Sequence, residues 1–262
     1  MIAVIFPKKH QIHTLIRRME LKYFKHNHQF KLYKTKKQNE VVFIECGTGR
    51  ERAEFITEKI IEEFNPKLII SVGYCEGVKS TITLNQLVLC KNLYTLNGVP
   101  AGWSPKDFEA PIKSNKKILD LLSKGLNQFD MRYAIVDCLS LPWPESQVEL
   151  KKWLGINFPV EIIDIAAYPV GKMAIKHGVP FLILRTVLST VDNSMPKFVS
   201  KIFESEGRSI IKAIVYIMAN PFRGLELFRL SNQSNQHQRL LSQALDEILL
   251  CFKDSAKELG YF

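Results

Sequence analysis

Val160-Glu161-Ile162-Ile163-Asp164-Ile165-Ala166-Ala167, followed one helical segment later by Gly178-Val179-Pro180-Phe181-Leu182-Ile183-Leu184-Arg185-Thr186-Val187, decides the fold. The first half reads as a strand, Val160 to Ile165, that turns at an acidic residue into a helix through His177. Gly178-Val179-Pro180 ends that helix, because glycine favours a helix C-terminus and proline cannot continue it. Phe181 to Leu188 is then a strand apolar on both faces, as in a sheet covered by helices on each side.

The same alternation runs outward from this unit. Ile2 to Phe6 is a short apolar strand, and a periodic segment follows it through Met19. Phe30 to Thr35 and Val41 to Cys46 are strands, and the basic stretch from Lys22 to Lys37 reads as an exposed strand with its turn. Glu51 to Phe64 is a helix whose Ala53, Ile56, Ile60, Ile61 and Phe64 share a face, and Asn65-Pro66 stops it. Leu68 to Val72 is a buried strand that runs into a turn bracketed by Gly73 and Gly77. Strands at Gln86 to Leu93 and Tyr133 to Leu139 alternate with helices at Lys113 to Leu126 and Glu145 to Leu154, and Val99 to Pro111 is a loop near the expected pocket. After Pro196 the pattern is helical, with breaks at Asn220-Pro221 and at the polar patch Asn232 to Gln236. The expected fold is α/β: three layers, α/β/α, around a mixed, largely parallel sheet. Residues 1–195 form that domain, and 196–262 a helical extension packed on it.

Bulk properties narrow the function. The 262 residues are 46% hydrophobic, enough for a sizeable core, and no apolar run reaches the roughly 18–20 residues of a membrane span. The N-terminus is apolar first and basic second, the reverse of a secretory signal, so a cytoplasmic protein is expected. Five cysteines form no C-x-x-C pair, which argues against zinc and thiol-redox chemistry. The net charge of +10 raises nucleic acid as a partner, but the lysines are dispersed and no nucleic-acid surface is expected. Attraction for phosphate-bearing ligands or anionic lipid accounts for the charge more simply. The apolar run Ile210 to Met218, followed by basic residues, reads as a core or dimer helix, with contact to a membrane surface as the alternative.

Three segments in order carry a resemblance: Gly47-Thr48-Gly49-Arg50-Glu51-Arg52-Ala53 at a strand-to-helix turn, Gly73-Tyr74-Cys75-Glu76-Gly77 after a buried strand, and the unit quoted first. Together they resemble the purine nucleoside phosphorylase and methylthioadenosine/adenosylhomocysteine nucleosidase superfamily over roughly residues 2 to 192. Pro196, Glu206-Gly207-Arg208 and Pro221-Phe222-Arg223 resemble its hopanoid-associated phosphorylases. The resemblance implies cleavage of the N-glycosidic bond of a purine nucleoside by phosphate or water. It implies no metal and no organic cofactor, inorganic phosphate as a co-substrate, a nucleoside-like ligand, and a homo-oligomer, most simply a dimer.

The resemblance also locates a site and exposes departures from the family's pattern. The position of the carboxylate that protonates the leaving base is Ser189, so Ser189 and the nearby Asp192 are the catalytic candidates. The position of the ribose-binding carboxylate is Ala166, while the first acid of that turn is kept as Asp164. The acid near the N-terminus of the nucleosidases falls at about Gln11, and Glu76 sits in the glycine turn where a nucleophilic anion would approach. Thr48, Gly49, Arg50, Arg52 and Gly73 are the anion-binding candidates; Tyr74, Cys75, Asp164, Ile165 and Arg185 are the nucleoside-binding ones. Arg185 reads equally well as a structural ion pair with Asp164 or Glu161. Cys75 reads more simply as a buried thiol, His177 as a helix-end residue, and His10 as a neighbour of the pocket. The pattern therefore points either to a divergent nucleosidase or phosphorylase, or to a nucleoside- or phosphate-binding protein that has lost the reaction.

Overall fold

The computed structural model describes residues 1–8, 12–26, 30–34, 40–96, 110–128, 131–142, 147–192 and 224–259. In chain order the elements are β1 (Ile2–Phe6), α1 (His13–Arg18), β2 (Lys22–His26), β3 (Phe30–Lys34), β4 (Val41–Glu45), α2 (Arg50–Phe64), β5 (Leu68–Gly77), β6 (Leu87–Thr95), β7 (Ile112–Lys113), α3 (Lys116–Gln128), β8 (Tyr133–Ser140), α4 (Val148–Asn157), β9 (Ile162–Asp164), α5 (Ala167–Lys176), β10 (Phe181–Ser189) and α6 (Gly224–Leu259).

Side-chain alternation sorts the core onto the two faces of the sheet. Ala3 and Ile5 of β1 point to one face, with Ala53, Ile56 and Ile60 of α2 and Ala167, Val170 and Ala174 of α5. Ile2, Val4 and Phe6 point to the other, with Leu15 of α1, Ile118 and Leu122 of α3, and Leu241, Leu245 and Ile248 of α6. Helix, sheet and helix thus make the three layers. At the end of α2, Asn65 adopts a left-handed conformation (φ 42°, ψ 58°) and donates its N–H to Ile61 O, so the chain leaves the helix before Pro66.

The sheet runs β10-β6-β8-β9-β5-β1-β4-β3-β2, and β10 also pairs with β5. That extra pairing closes β5, β10, β6, β8 and β9 into a ring. β5 makes the closure because it is ten residues long. Its first part pairs with β1, its middle with β10 as far as Glu76, and its end, Glu76 and Gly77, with β9. The segment expected to turn between Gly73 and Gly77 is therefore strand. Two partner strands supply its backbone hydrogen bonds, and that outweighs the weak strand propensity of glycine. Within the mixed sheet β1–β4, β1–β5, β5–β10, β6–β8 and β8–β9 are parallel, and β6 and β9 run against β10 and β5.

The helix α6 passes through the polar patch without a break. Gln236, Arg239 and Gln243 lie on its exposed side, while Leu241, Ala244, Leu245, Ile248 and Phe252 form the buried stripe. Polar residues on an outer stripe leave a helix intact. The loop expected at 99–111 and the segments at 210–218 and 220–221 fall wholly or mainly outside the described residues. No helix among the described residues is long and apolar enough to cross a membrane.

Docking of α6 places His237 in the interior, its ring 5.7 Å from that of Tyr74. Neither ring nitrogen has a hydrogen-bond partner among the described residues. Desolvation pushes its pKa down to about 4 from 6.5. The unfolded chain then binds a proton that the folded chain refuses between those values. Stability is full above about pH 6.5 and falls as the pH drops toward 4, by up to about 3 kcal/mol. His237→Phe keeps a ring against Tyr74 and removes this loss. Between pH 7.5 and pH 4.5 its melting temperature should fall less than that of the parent by roughly 5 °C. Parallel losses in the two proteins would show that His237 is not buried as described.

Candidate functional site

Asp164 closes β9 and Arg185 lies in the middle of β10, and the ring brings them together. Arg185 Nε donates to Asp164 Oδ2 at 3.0 Å, and the second nitrogen of the guanidinium that faces Asp164 also lies 3.0 Å from that oxygen. That nitrogen, Nη2, also donates to Ser71 Oγ (3.1 Å), and Nη1 donates to Ser71 O (2.8 Å) and Leu184 O (3.0 Å). Asp164 also accepts from Ser140 Oγ (2.6 Å) and from the backbone N–H of Ala167 (2.9 Å), the first residue of α5. A carboxylate at a helix N-terminus is favoured by the exposed amides and the helix dipole. Both side chains are only 2% exposed. Burial is the largest influence and pushes the guanidinium pKa down; the charge and hydrogen bond of Asp164, together with Cys90 and Cys138, push it up, and the net direction is up. The structure therefore places Asp164 and Arg185 as an interior ion pair with protein partners on every side.

The glycine turn after β4 leads to the same network. Gly47 (φ 83°) and Gly49 (φ 108°) adopt conformations that other residues rarely reach. The Arg52 side chain lies over Gly47 in the space a β-carbon would fill, whereas Gly49 faces open space. Arg50 donates to Thr95 Oγ1 (2.9 Å) at the end of β6, and its guanidinium stands 5.9 Å from the centre of the Tyr168 ring. Thr95 Oγ1 donates to Ser140 O at 3.4 Å, and Ser140 Oγ accepts from the N–H of Tyr168 at 2.8 Å. Arg50, Thr95, Ser140, Asp164 and Arg185 thus form one continuous polar chain across the ring. Thr48 is exposed at the turn, and Ile165 is half-buried beyond Asp164. Gly73 stands in register with Arg185.

The other expected residues lie elsewhere. Tyr74 points to the opposite face, against His237 of α6. Cys75 is buried, its thiol 3.6 Å from Thr186 O, and desolvation pushes its pKa well above the ordinary value. A thiol held protonated in this way is a poor nucleophile. Asp192 is exposed, two residues beyond the buried Thr190. Gln11 and His10 fall outside the described residues.

Ser189 ends β10 in a second polar cluster. Its hydroxyl accepts from Lys151 Nζ at 2.9 Å and donates to Glu76 Oε2 at 2.7 Å, while Lys151 Nζ and Glu76 Oε2 are in direct ion-pair contact. Lys151 is fully buried, and the Glu76 side chain is 21% exposed. Sequence reasoning passed over Lys151. The signal was its place three residues before Leu154 and seven before Phe158, on the stripe of α4 and its end that packs inward. A lysine on an apolar stripe of a helix needs a partner, and here it has two. Glu76 stands closest to Ser189 of the carboxylates this structure brings to that end of the ring.

A mixed α/β/α sheet closed into a ring, with a glycine turn and helix start at its edge and polar groups gathered at strand ends, defines one class of α/β protein. Within that class the profile of the phosphorylase superfamily matches residues 1–215, and the chain belongs to that superfamily. It is 23% identical over 200 residues to a 5'-methylthioadenosine/S-adenosylhomocysteine nucleosidase of Staphylococcus haemolyticus, covering 72% of this chain and 87% of the relative. Its fold is that of a futalosine hydrolase mutant of Helicobacter pylori (TM-score 0.69, 12% identity, 95% of this chain and 97% of the other). It is also that of the Neisseria meningitidis 5'-methylthioadenosine/S-adenosylhomocysteine nucleosidase in complex with methylthio-immucillin-A (TM-score 0.69, 16% identity, 95% and 97%).

Removing one partner of the interior pair strands the other. Arg185→Met leaves the Asp164 carboxylate buried without its cation, and should lower stability by about 3–5 kcal/mol in urea denaturation. A loss below about 1 kcal/mol would mean that water reaches the pair.

Proposed function

We propose that this chain binds a nucleoside-type molecule at the end of the ring formed by β5, β9 and β10 and cleaves its N-glycosidic bond. The observation that carries this reading is the Lys151–Ser189–Glu76 cluster, at the position where the resemblance puts the general acid. When the bond breaks, its electron pair leaves with the base and the sugar carries the positive charge. The base then needs a proton. Ser189 holds a hydroxyl between an ammonium and a carboxylate; when the base leaves, the O–H turns from Glu76 to the base, passes its proton there and takes one from Lys151. Lys151, fully buried, acts only through Ser189. Water adding to the sugar releases the proton that restores the ammonium, so the cycle balances. Glu76 orients the hydroxyl, and its partly exposed carboxylate faces the positive charge that develops on the sugar. Phosphate as acceptor would meet Arg50 and the turn at Gly49. The reading needs no metal and no organic cofactor.

A second reading, binding without cleavage, draws on two observations. Asp192 is exposed, and Ala166 offers no carboxylate for the ribose hydroxyls. Purified protein incubated with 5'-methylthioadenosine, adenosine and inosine, with and without phosphate, separates the two. Release of free base, lowered about 10²-fold in kcat by Lys151→Met with little change in KM, is the expected outcome. A thermal shift with nucleoside and no base release would support the second reading. Neither response would overturn both.

A further inference from the structure

We infer that the free edge of the sheet at β2 is a docking site for an extended acidic segment of another protein, which adds to the sheet as a further strand. The edge lies apart from the Ser189 end of the ring, with β3, β4 and β1 between it and β5. Among the described residues β2 pairs with β3 on one side and with no strand on the other. In an antiparallel pair every second residue turns both its N–H and its C=O away from its neighbour. The outer side of β2 therefore presents backbone donors and acceptors to an incoming strand.

Two aromatic rings point to a strand as the occupant. Tyr23 and Phe24 are each 57% exposed, more than any other aromatic side chain among the described residues. They stand on opposite faces of the ribbon. Tyr23 is opposite Tyr33, which joins the core on the α1 side, and Phe24 is opposite Leu32, which joins the core on the α2 side. An added strand sets a side chain beside each ring and so covers both. A flat anionic bilayer meets one face of a ribbon and covers one ring. Single-stranded nucleic acid needs rings side by side for successive bases. Here the rings are on opposite faces. Lys34 Nζ already sits 5.4 Å from the centre of the Phe24 ring, and Tyr23 meets Tyr33 edge-on at 5.8 Å.

Charge selects which strand. Residues 22 to 37 include six lysines and no acidic residue. Lys22 stands directly opposite Lys34, a like-charge pair that is unfavourable on its own. Both are exposed and neither has an ion-pair partner among the described residues, whereas Lys31 has Glu45 at 3.5 Å. Lysines on an edge turn away a second copy of the same basic strand. An acidic strand reverses the sign, because its carboxylate relieves the repulsion between Lys22 and Lys34. From Lys22 to Lys25 the order is lysine, tyrosine, phenylalanine, lysine. Its complement, residue opposite residue, is acid, apolar, apolar, acid. That order reads the same in both directions, so antiparallel pairing keeps it.

Titration of the full chain with a capped hexapeptide, threonine-glutamate-valine-valine-glutamate-threonine, followed by amide NMR, tests the proposal. The amides of β2, Lys22–His26, should shift and exchange hydrogen more slowly, approaching saturation near about 2 mM peptide. A peptide of the same composition with glutamate and valine alternating should bind about 10-fold more weakly. So should the first peptide N-methylated at both valines, because one of two adjacent amides must face β2. Lys22→Glu relieves the pair with Lys34, so the free chain should melt no lower than the parent. It should bind the first peptide about 10-fold more weakly, and lysine in place of the second glutamate should restore binding. No response of the β2 amides at about 5 mM peptide would overturn the proposal. Undiminished binding of the N-methylated peptide would do the same, since it marks charge attraction without strand addition. Binding to vesicles of phosphatidylcholine and phosphatidylserine at about 2:1, or to oligothymidylate, would also overturn it if lost in the Tyr23→Ser/Phe24→Ser variant while the peptide leaves β2 unchanged. None of these readouts involves base release, so the outcome is independent of the proposed reaction.

Discussion

The buried pair of Arg185 and Asp164 is the constraint on which the rest of the structure depends. Arg185 comes from the strand that closes the ring, and Asp164 from the strand on the far side of β5. A charge taken out of water is tolerated only with a counter-charge and a full set of hydrogen bonds. That requirement makes the ring specific. If β10 slipped by one residue against β5, Arg185 would leave the interior and Asp164 would be stranded. The pair also sets the start of α5, because the carboxylate that meets the guanidinium accepts from the first amide of that helix. Ser140 ties β8 to the same carboxylate, and Arg50 reaches Ser140 through Thr95.

Much of this was legible in the sequence, for a simple reason. Strands such as β1 and β10 are continuous apolar runs, and α2 has one clean apolar face with an Asn-Pro stop. Those elements appear where local pattern put them, within a residue or two. What failed was whatever depends on partners remote in sequence. The Gly73 to Gly77 segment looks like a turn in isolation and becomes strand only because β9 and β10 lie on its two edges. The reversed direction of β6 and β9 leaves no local mark at all. The polar patch at 232–236 looked like a break because composition was read locally, yet the chain stays helical through it.

The site shows the same division. The Arg185–Asp164 pair could be named as one of two readings, since both residues stood in recognisable motifs. Lys151 could not be named from any motif. It is a charged residue on an apolar stripe, and its meaning appears only when Glu76 and Ser189 arrive from two other elements. The substitution of serine at the general-acid position looked like a simple loss. The structure shows instead that a hydroxyl, an ammonium and a carboxylate occupy that end of the ring together.

Asp164 and Glu76 are two carboxylates in one ring with different surroundings, and surroundings assign their roles. Asp164 is enclosed, and its two oxygens accept from Arg185, Ser140 and Ala167. It has no face to offer a ligand, so its work is to hold strands and helix in place. Glu76 binds Ser189 and Lys151 through Oε2 alone and is partly exposed. Its other oxygen takes no part in those two contacts and, near the expected general-acid position, can meet an incoming molecule. Lys151 keeps that carboxylate in place from the protein side, where solvent cannot screen the attraction. A ligand at this end of the ring therefore meets a fixed negative charge backed by a buried positive one. That arrangement suits a molecule whose sugar becomes positive as its base departs, and it needs no carboxylate at position 189 to do so.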